Sequence, residues 1–478
     1  MLPASREIGA ALRIIEKLRA AGYEAYLAGG CVRDLVLGRE PVDYDVATSA
    51  TPDVVLEMFP RTFAVGAHFG VVLVAACDEE AGSPAIFSEG SKGEKPTEVA
   101  TFRSDLAYSD GRHPDAVRYT LSAEEDVKRR DFTINGLLLD PLRGGSPLEE
   151  CFGDLKLLRS KVLDYVGGLA DLDAGIIRAI GQPSRRFEED HLRMLRAVRF
   201  AARFGFEIEA ETKRAIRALA SRIHAVSRER VRDELTKMLT EGRARRAFEL
   251  LDETGLLPEV LPEMAHMKGV EQPPQFHPEG DVFVHTLLLL EQLWAGVSPT
   301  LAWGALLHDV GKPPTFRRAP DRIRFDGHVE VGVAMGAEIC RRFRFSNDET
   351  RQILALIENH MRFADAQKMK ASTLKRFFRL EDFEEHLALH RMDVMAAHGN
   401  LELYDFVREQ RAEMTEETVR PRPLVTGREL IAAGYAPGPG FKEMLTVVED
   451  AQLEGAIGTL EEAMRLVRER FGVAARSG

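Results

Sequence analysis

Strand-forming signal is confined to the first third of this 478-residue chain, and from about Asp171 onward almost only helical periodicity remains. A chain patterned this way is restricted to a mixed α/β head followed by helical modules. Residues 6–21 place Ile8, Leu12, Ile15 and Leu18 at helical spacing. Ala25–Ala28 reads as a strand running into Gly29-Gly30, Cys31–Leu37 as a helix ended by Gly38, and Asp43–Ala47 as an alternating strand. Thr51-Pro52 opens a helix at Asp53, and Val71–Ala76 and Glu98–Phe102 are further strand candidates. A Gly/Ser/Glu/Lys-rich insertion at 78–96 interrupts the unit and reads as a mobile loop.

The length calls for two to four domains. Gln272-Pro273-Pro274-Gln275 and Arg420-Pro421-Arg422-Pro423 mark junctions, and 424–478 reads as a terminal helical module. A hydrophobic fraction of 45% and a charged fraction of 29% exclude a disordered or fibrous chain. The four cysteines, Cys31, Cys77, Cys151 and Cys340, form no C-x-x-C pair, which argues against a disulfide framework and fits a reducing cytoplasm. No signal-peptide run or membrane span is expected, so the location expected is cytoplasmic. A net charge of −12 argues against indiscriminate nucleic-acid binding, but residues 181–235 carry thirteen Arg/Lys against nine Asp/Glu. A polyanion could dock there; a solvated helix face explains the charge equally well.

Four segments carry chemistry. In Asp43-Tyr44-Asp45 the strand period puts both acids on one face, a pair of hard oxygen ligands suited to Mg²⁺. Alone, such a triplet is common on surfaces. Gly29-Gly30 lies thirteen residues ahead of Asp43, between a strand and a helix N-terminus, where backbone amides can receive a triphosphate. Arg33 adds a cation there or simply pairs with Asp34. Arg129-Arg130-Asp131 followed by Asn135 can grip phosphate and ribose hydroxyls, or form a charged turn entering a helix. Glu189-Asp190-His191-Leu192-Arg193 opens a helix in which Asp190 and Arg193 are i,i+3 neighbours and Glu189 and Arg193 are i,i+4 neighbours; spacing alone favours surface salt bridges.

The order of G-G-x-V-R-D, D-Y-D-V-A-T, E-V-A-T-F-R, D-G-R-H-P-D and R-R-D-F-T-I-N resembles the tRNA nucleotidyltransferase/poly(A) polymerase family, in its bacterial-type class II branch. The resemblance covers roughly residues 25–235. It implies an α+β fold: a polymerase-β-like nucleotidyltransferase head over 1–150, a helical neck and body over 151–270, a metal-binding module over 271–400 and a helical tail over 401–478. It implies that Asp43 and Asp45 are the catalytic metal ligands and that Gly29, Gly30 and Arg33 meet the triphosphate. Arg129, Arg130, Asp131 and Asn135 would bind phosphate or ribose, and Asp110 and Arg112 would belong to a segment that helps select the base. Glu98 is a candidate third acid. The E-D-x-x-R match makes Asp190 and Arg193 an amino-acid template: a carboxylate accepts from the exocyclic amine of cytosine or adenine, and a guanidinium donates to the ring acceptor beside it. Glu189 would position Arg193, and Glu229 to Glu234 matches E-R-x-R-x-E, with Arg230 and Arg232 as RNA contacts or structural salt bridges.

His285, His308-Asp309, His328, His360 and Asp393 run through apolar helices, and the series resembles the HD-domain phosphohydrolases. It implies a second centre that holds a divalent transition metal or Mg²⁺ and acts on phosphoesters, 2′,3′-cyclic phosphates among them. His68, His113, His191 and His277 show no comparable pattern, and His386, His390 and His398 fit it less well. The expected activity is addition of CCA to the tRNA 3′ end from CTP and ATP. CC-only, A-only or poly(A) addition is the alternative, and a phosphohydrolase with a nucleotide-binding head is the second. No membrane partner is expected, and the sequence leaves the oligomeric state open.

Overall fold

A computed structural model describes residues 6–63, 70–75, 95–105, 117–144, 148–151, 154–275, 277, 278 and 280–472. Asp110, Arg112, His68, His113, Cys77 and most of the 78–96 insertion lie outside the described residues. The chain divides into two compact units, Met1–Pro262 and Glu263–Gly478.

The first unit is built on a seven-stranded mixed sheet. Its strands are β1 (Ala25–Ala28), β2 (Val46–Thr48), β3 (Thr62–Phe63), β4 (Val71–Val74), β5 (Thr97–Thr101), Leu137–Leu139 and Val162–Asp164. The spatial order is β3-β4-β5-β2-β1, then Leu137–Leu139, then Val162–Asp164, so the sheet closes beyond the expected head limit at 150. Only β2 and β5 pair in parallel, with Val46 opposite Val99; β1 lies antiparallel to β2, with Leu27 opposite Val46. Because β1 and β2 are covered on both faces, every residue in them is buried, including all of Ala-Tyr-Leu-Ala. The helix Arg6–Ala20 buries Ile8, Leu12, Ile15 and Leu18, as the periodicity requires.

The strand expected over Asp43–Ala47 begins only at Val46. The residues before it remain extended, since the Ala28 N–H donates to the Asp45 carbonyl at 3.0 Å. Burial alternates through Asp43 (exposed), Tyr44 (buried) and Asp45 (half-buried). The acids therefore sit at the lip of the sheet, where the pairing of β1 with β2 ends.

Beyond Asp171 the first unit is helical apart from one parallel pair, Ile176–Ile177 with Glu207–Ile208. The helix Leu192–Phe204 is central; it buries Met194, Leu195, Val198 and Ala201 and packs against Arg228–Thr240 and Ala244–Glu253.

The second unit is helical except for a small hairpin, Arg317–Arg318 with Ile323–Arg324. Pro299–Leu307 buries nearly every residue, as expected of a helix that is apolar on all sides. Val407 and Val419 join Phe363, Phe377 and Leu387 in one core. A separate core of Val425, Leu430, Val448, Ala463 and Val467 starts later, so the tail has its own packing from about Val425 rather than from 401. No helix among the described residues is long and apolar enough to cross a membrane.

Candidate active site and metal centre

Segments far apart in sequence meet in one cavity of about 570 Å³ within the first unit. Gly29, Gly30 and Arg33 line it from the turn after β1, and Asp45 and Glu98 from the sheet. Arg129, Arg130, Asp131 and Asn135 line another side, and Asp190, Arg193 and Arg230 complete it from the helices. Asp43 and Glu189 are not among the lining residues.

The glycine turn is enforced sterically. Gly29 has φ 73°, and a Cβ there would meet Arg130 Nη1 at 2.9 Å. Its N–H donates to the Leu137 carbonyl, tying the turn to the sheet. The following helix, Gly30–Val36, carries Arg33, whose Nε bonds Asp34 at 2.8 Å and whose Nη1 donates to Asn135 Oδ1 at 2.6 Å. Asn135 in turn donates to Asp131 at 3.0 Å. Arg196 closes this chain on Asp131 at 2.7 and 2.8 Å. Burial works against the Asp131 charge, but Arg196 and the Asn135 amide outweigh it and hold the carboxyl down at about 2. Arg129 and Arg130 both pair with the buried Asp126, which fixes their heads.

At the sheet lip the electrostatics run the other way. Burial, followed by the like charges of Glu98 and Asp43, pushes the Asp45 carboxyl up to about 7. Lys95 reaches Asp43 at 3.1 Å, standing where a cation neutralises the cluster. Asp45 and Glu98 both line the cavity, Arg130 and Lys95 partly offset the charge on Asp45, and hard carboxylate oxygens of this kind fit a divalent metal. Glu98 acts on Asp45 more strongly than Asp43 does, a point the sequence raised only as a candidate.

The Asp190/Arg193 pair is built differently from the sequence expectation. Asp190 stands just ahead of the helix that carries Arg193 rather than within a helix, its carbonyl accepting from the Arg193 N–H at 3.1 Å. The helix Pro183–Glu189 ends before it, the next begins at Leu192, and Asp190 sits in the break with extended backbone. Its carboxylate caps the Leu192 N–H at 3.0 Å and is gripped by Arg230 at 2.8 and 3.3 Å. Arg193 is held by Glu189 at 2.6 Å and by the Arg186 and Arg129 carbonyls. Asp190 and Arg193 therefore have separate anchors and both face the cavity. Arg196 was absent from the sequence reading; its spacing of three from Arg193 was the available signal.

In the second unit, His285, His308 and Asp393 place ligand atoms within 4.8 Å of one another, and so do Asp309, His328 and His360. The six residues lie within or at the ends of five helices. His308, His328 and His360 each bond the carbonyl three residues earlier through Nδ1, at 2.9, 3.0 and 2.7 Å. That fixes the tautomer and turns Nε2 inward. These three Nε2 atoms are buried without a hydrogen-bond partner and face Asp309 at 3.1, 3.9 and 3.8 Å. Such orphaned acceptors around carboxylates fit a metal ion. Burial brings His360 down to about 4, so its imidazole is neutral at pH 7, the form that can coordinate a metal. Gly311 allows the close packing: a Cβ there would lie 2.0 Å from the His328 carbonyl. A cavity of about 700 Å³ opens onto Asp309, His328, His360 and Asp393. His277, which the sequence pattern left aside, also lines it and packs edge-on against His285 at 4.8 Å. His390 and His398 line it as well.

Family models match along this layout: the poly A polymerase head domain over residues 25–178, a "Probable RNA and SrmB- binding site of polymerase A" over 205–268, and the HD domain over 282–398. The CCA-adding enzyme of Geobacillus sp. (strain WCH70) is 30% identical over 468 residues, covering 95% of this chain and 94% of that protein. The CCA-adding enzyme of Geobacillus thermodenitrificans is 41% identical over 246 residues, a match that spans about half of each chain, 52% and 53%. The crystal structure of Bacillus stearothermophilus CCA-adding enzyme in complex with CTP superimposes with a TM-score of 0.68 at 27% identity, covering 98% of this chain and 99% of that one. With its head fold, its helical modules and near-full-length similarity, this chain belongs to the family of CCA-adding enzymes.

Proposed function

We propose that this chain adds C, C and A to the 3′ end of tRNA from CTP and ATP, releasing pyrophosphate at each step. The observation that carries the reading is the single cavity into which the glycine turn, Asp45, Arg129-Arg130-Asp131, Asn135 and the Asp190/Arg193 pair all converge. In the reaction the tRNA 3′ oxygen bonds to the α-phosphorus, the bond to the β-phosphate oxygen breaks, and the hydroxyl proton passes to solvent. Asp43 and Asp45, with Glu98 beside them, would hold Mg²⁺, which when bound supplies charge neutralisation for the attacking oxygen and the leaving pyrophosphate.

The protein's own groups do the rest. Arg129 and Arg130 are pre-oriented by Asp126, so little order is lost when they meet phosphate oxygens. Asn135 and Asp131 stand in one bonded chain from Arg33 to Arg196, a rigid rack for a ribose. Asp190 accepts from the N4 amine of cytosine or the N6 amine of adenine, and Arg193 donates to the adjacent ring nitrogen. Uracil and guanine carry a carbonyl where the amine is required, which leaves Asp190 facing an acceptor. At about 570 Å³ the cavity suits one nucleotide at a time. The expected test is Asp43→Ala or Asp45→Ala, each abolishing nucleotide addition while folding and tRNA binding persist; a variant that still extends tRNA at the parental rate overturns the catalytic assignment.

The inward Nε2 atoms of His308, His328 and His360 favour a second activity in the other unit. The six-residue centre would hold divalent metal, which supplies an acidified water for phosphoester hydrolysis. His285, held 3.0 Å from Asp393, keeps that carboxylate aimed into the cluster.

A further inference from the structure

We infer that Arg186 is a positioning residue for base selection, which holds Arg193 from outside the cavity and ties it to the backbone of the Arg129-Arg130 turn. This rests on the reading of Asp190 and Arg193 as the pair that contacts the base. Arg186 sits on the helix Pro183–Glu189 and is not among the residues lining the cavity, so it acts through its neighbours. Its Nη1 donates to Glu189 Oε2 at 2.8 Å and to the Arg129 carbonyl at 3.0 Å. Nη2 donates to the Lys128 carbonyl at 2.8 Å, and Nε to the Ile180 carbonyl at 3.2 Å. Only 14% of the side chain is exposed, and the two carbonyls of the turn lie 57 and 58 residues away. A solvated surface pair, which contributes little, has neither property.

Arg193 is held by the same parts. Glu189 Oε2 accepts from Arg186 at 2.8 Å and from Arg193 at 2.6 Å. The Arg186 carbonyl accepts from Arg193 Nη1 at 3.0 Å, and the Arg129 carbonyl accepts from Arg193 Nη2 at 3.3 Å as well as from Arg186. These bonds use both protons of Arg193 Nη1 and one of Nη2. A guanidinium carries five N–H donors, so Nε–H and one Nη2 proton, neighbours on one edge of the fork, are left for a base. That edge meets acceptors on cytosine, the ring nitrogen beside the amine and the carbonyl next to it. On uracil it meets an N–H at the same ring position, donor against donor.

Arg186 decides which edge stays open. While it occupies part of Glu189 Oε2, Arg193 meets that carboxylate through Nη1 alone. Without Arg186 the whole carboxylate is open to Arg193, and a planar guanidinium meets a carboxylate best through two parallel bonds. A second Arg193 N–H is then drawn to Glu189 and lost to the base. The Arg129 carbonyl also keeps one donor instead of two, which loosens the tie between Arg193 and the turn that grips phosphate.

The test measures kcat/KM for CTP, UTP and dCTP on a tRNA ending at the discriminator base, with the full chain and its Arg186→Met, Arg186→Lys and Arg193→Met variants. Arg186→Met is expected to lower the CTP-over-UTP ratio by at least about tenfold. Arg186→Lys should fall between it and the parent, because an ammonium replaces only part of the donor set. The CTP-over-dCTP ratio should stay within about threefold of the parent, since the bonded chain from Arg33 through Asn135 and Asp131 to Arg196 does not include Arg186. A merely structural role would slow all three nucleotides together and move neither ratio. A parental CTP-over-UTP ratio in Arg186→Met overturns the proposal, and so does a CTP-over-dCTP ratio that falls as far. If neither Arg186 variant shows a cooperative thermal unfolding transition, the residue belongs to structure alone, against the proposal. A parental CTP-over-UTP ratio in Arg193→Met would instead overturn the base-contact reading, and the part of Arg186 with it.

Discussion

Arg230 grips both carboxylate oxygens of Asp190, at 2.8 and 3.3 Å, across forty residues of sequence. The carboxylate has lone pairs left for a base amine, and Arg230 fixes which way they point. Arg230→Ala should therefore free Asp190 to rotate. Losing a charge-assisted bond costs about 1.5–3 kcal/mol, so kcat/KM for CTP and ATP should fall roughly 10- to 100-fold while UTP incorporation changes little. Steady-state kinetics with the three nucleotides measure this; an unchanged CTP-to-UTP ratio would deny Arg230 a part in base selection.

Arg196 supports Asp131 from the helix that also carries Arg193. Arg196→Ala leaves a buried carboxylate with only Asn135 and a backbone N–H, at a cost of about 1–3 kcal/mol. The sign with pH is definite. Asp131 sits at about 2 in the folded protein against an ordinary value of 3.8, so its contribution is present above pH 4 and fades as the pH falls toward 2. Denaturant melts should show the gap between parent and variant closing over that interval, and a constant gap would mean the two groups are not coupled.

Asp45 titrates in the opposite sense. Raised to about 7, it holds a proton at pH 6 and has lost it by pH 8. A metal ligand that must shed a proton binds less well in acid. Below pH 7 the free Mg²⁺ needed for half-maximal CTP incorporation should rise about tenfold per pH unit. A requirement that is flat between pH 5.5 and 8 would contradict the cluster of Asp43, Asp45 and Glu98.

In the second unit, His360→Ala removes one inward Nε2 and one cation-binding edge of the cluster. Bound transition metal, measured by elemental analysis after dialysis, should drop by at least half. CTP incorporation should stay within about twofold of the parent. Loss of nucleotide addition together with the metal would tie the two centres to one activity.

Much of this was legible in the residues. The helix over Ile8 to Leu18, the strand at Ala25–Ala28 and the helix opened by Thr51-Pro52 follow from periodicity and capping, which are local. The six histidine and aspartate positions were legible as a series, and they meet as two triads. What sequence could not supply were partners set by tertiary packing. Asp190 looked like part of a helix because Glu189 and Arg193 are one turn apart, yet the helix breaks there and Arg230 takes the carboxylate. Arg196 to Asp131 and Lys312 to Gln272 span 65 and 40 residues, beyond any local rule. The strand expected from Asp43 starts three residues later, at Val46, because pairing depends on β1 and β5 rather than on alternation alone.

The most direct measurement offers the protein three tRNA transcripts, ending at the discriminator base, at C and at CC, with CTP and ATP together, and sequences the 3′ ends. Addition of CCA, CA and A respectively, all abolished by Asp45→Ala, is the predicted result. Extension of only one transcript, or continued addition of adenosines beyond CCA, would contradict it.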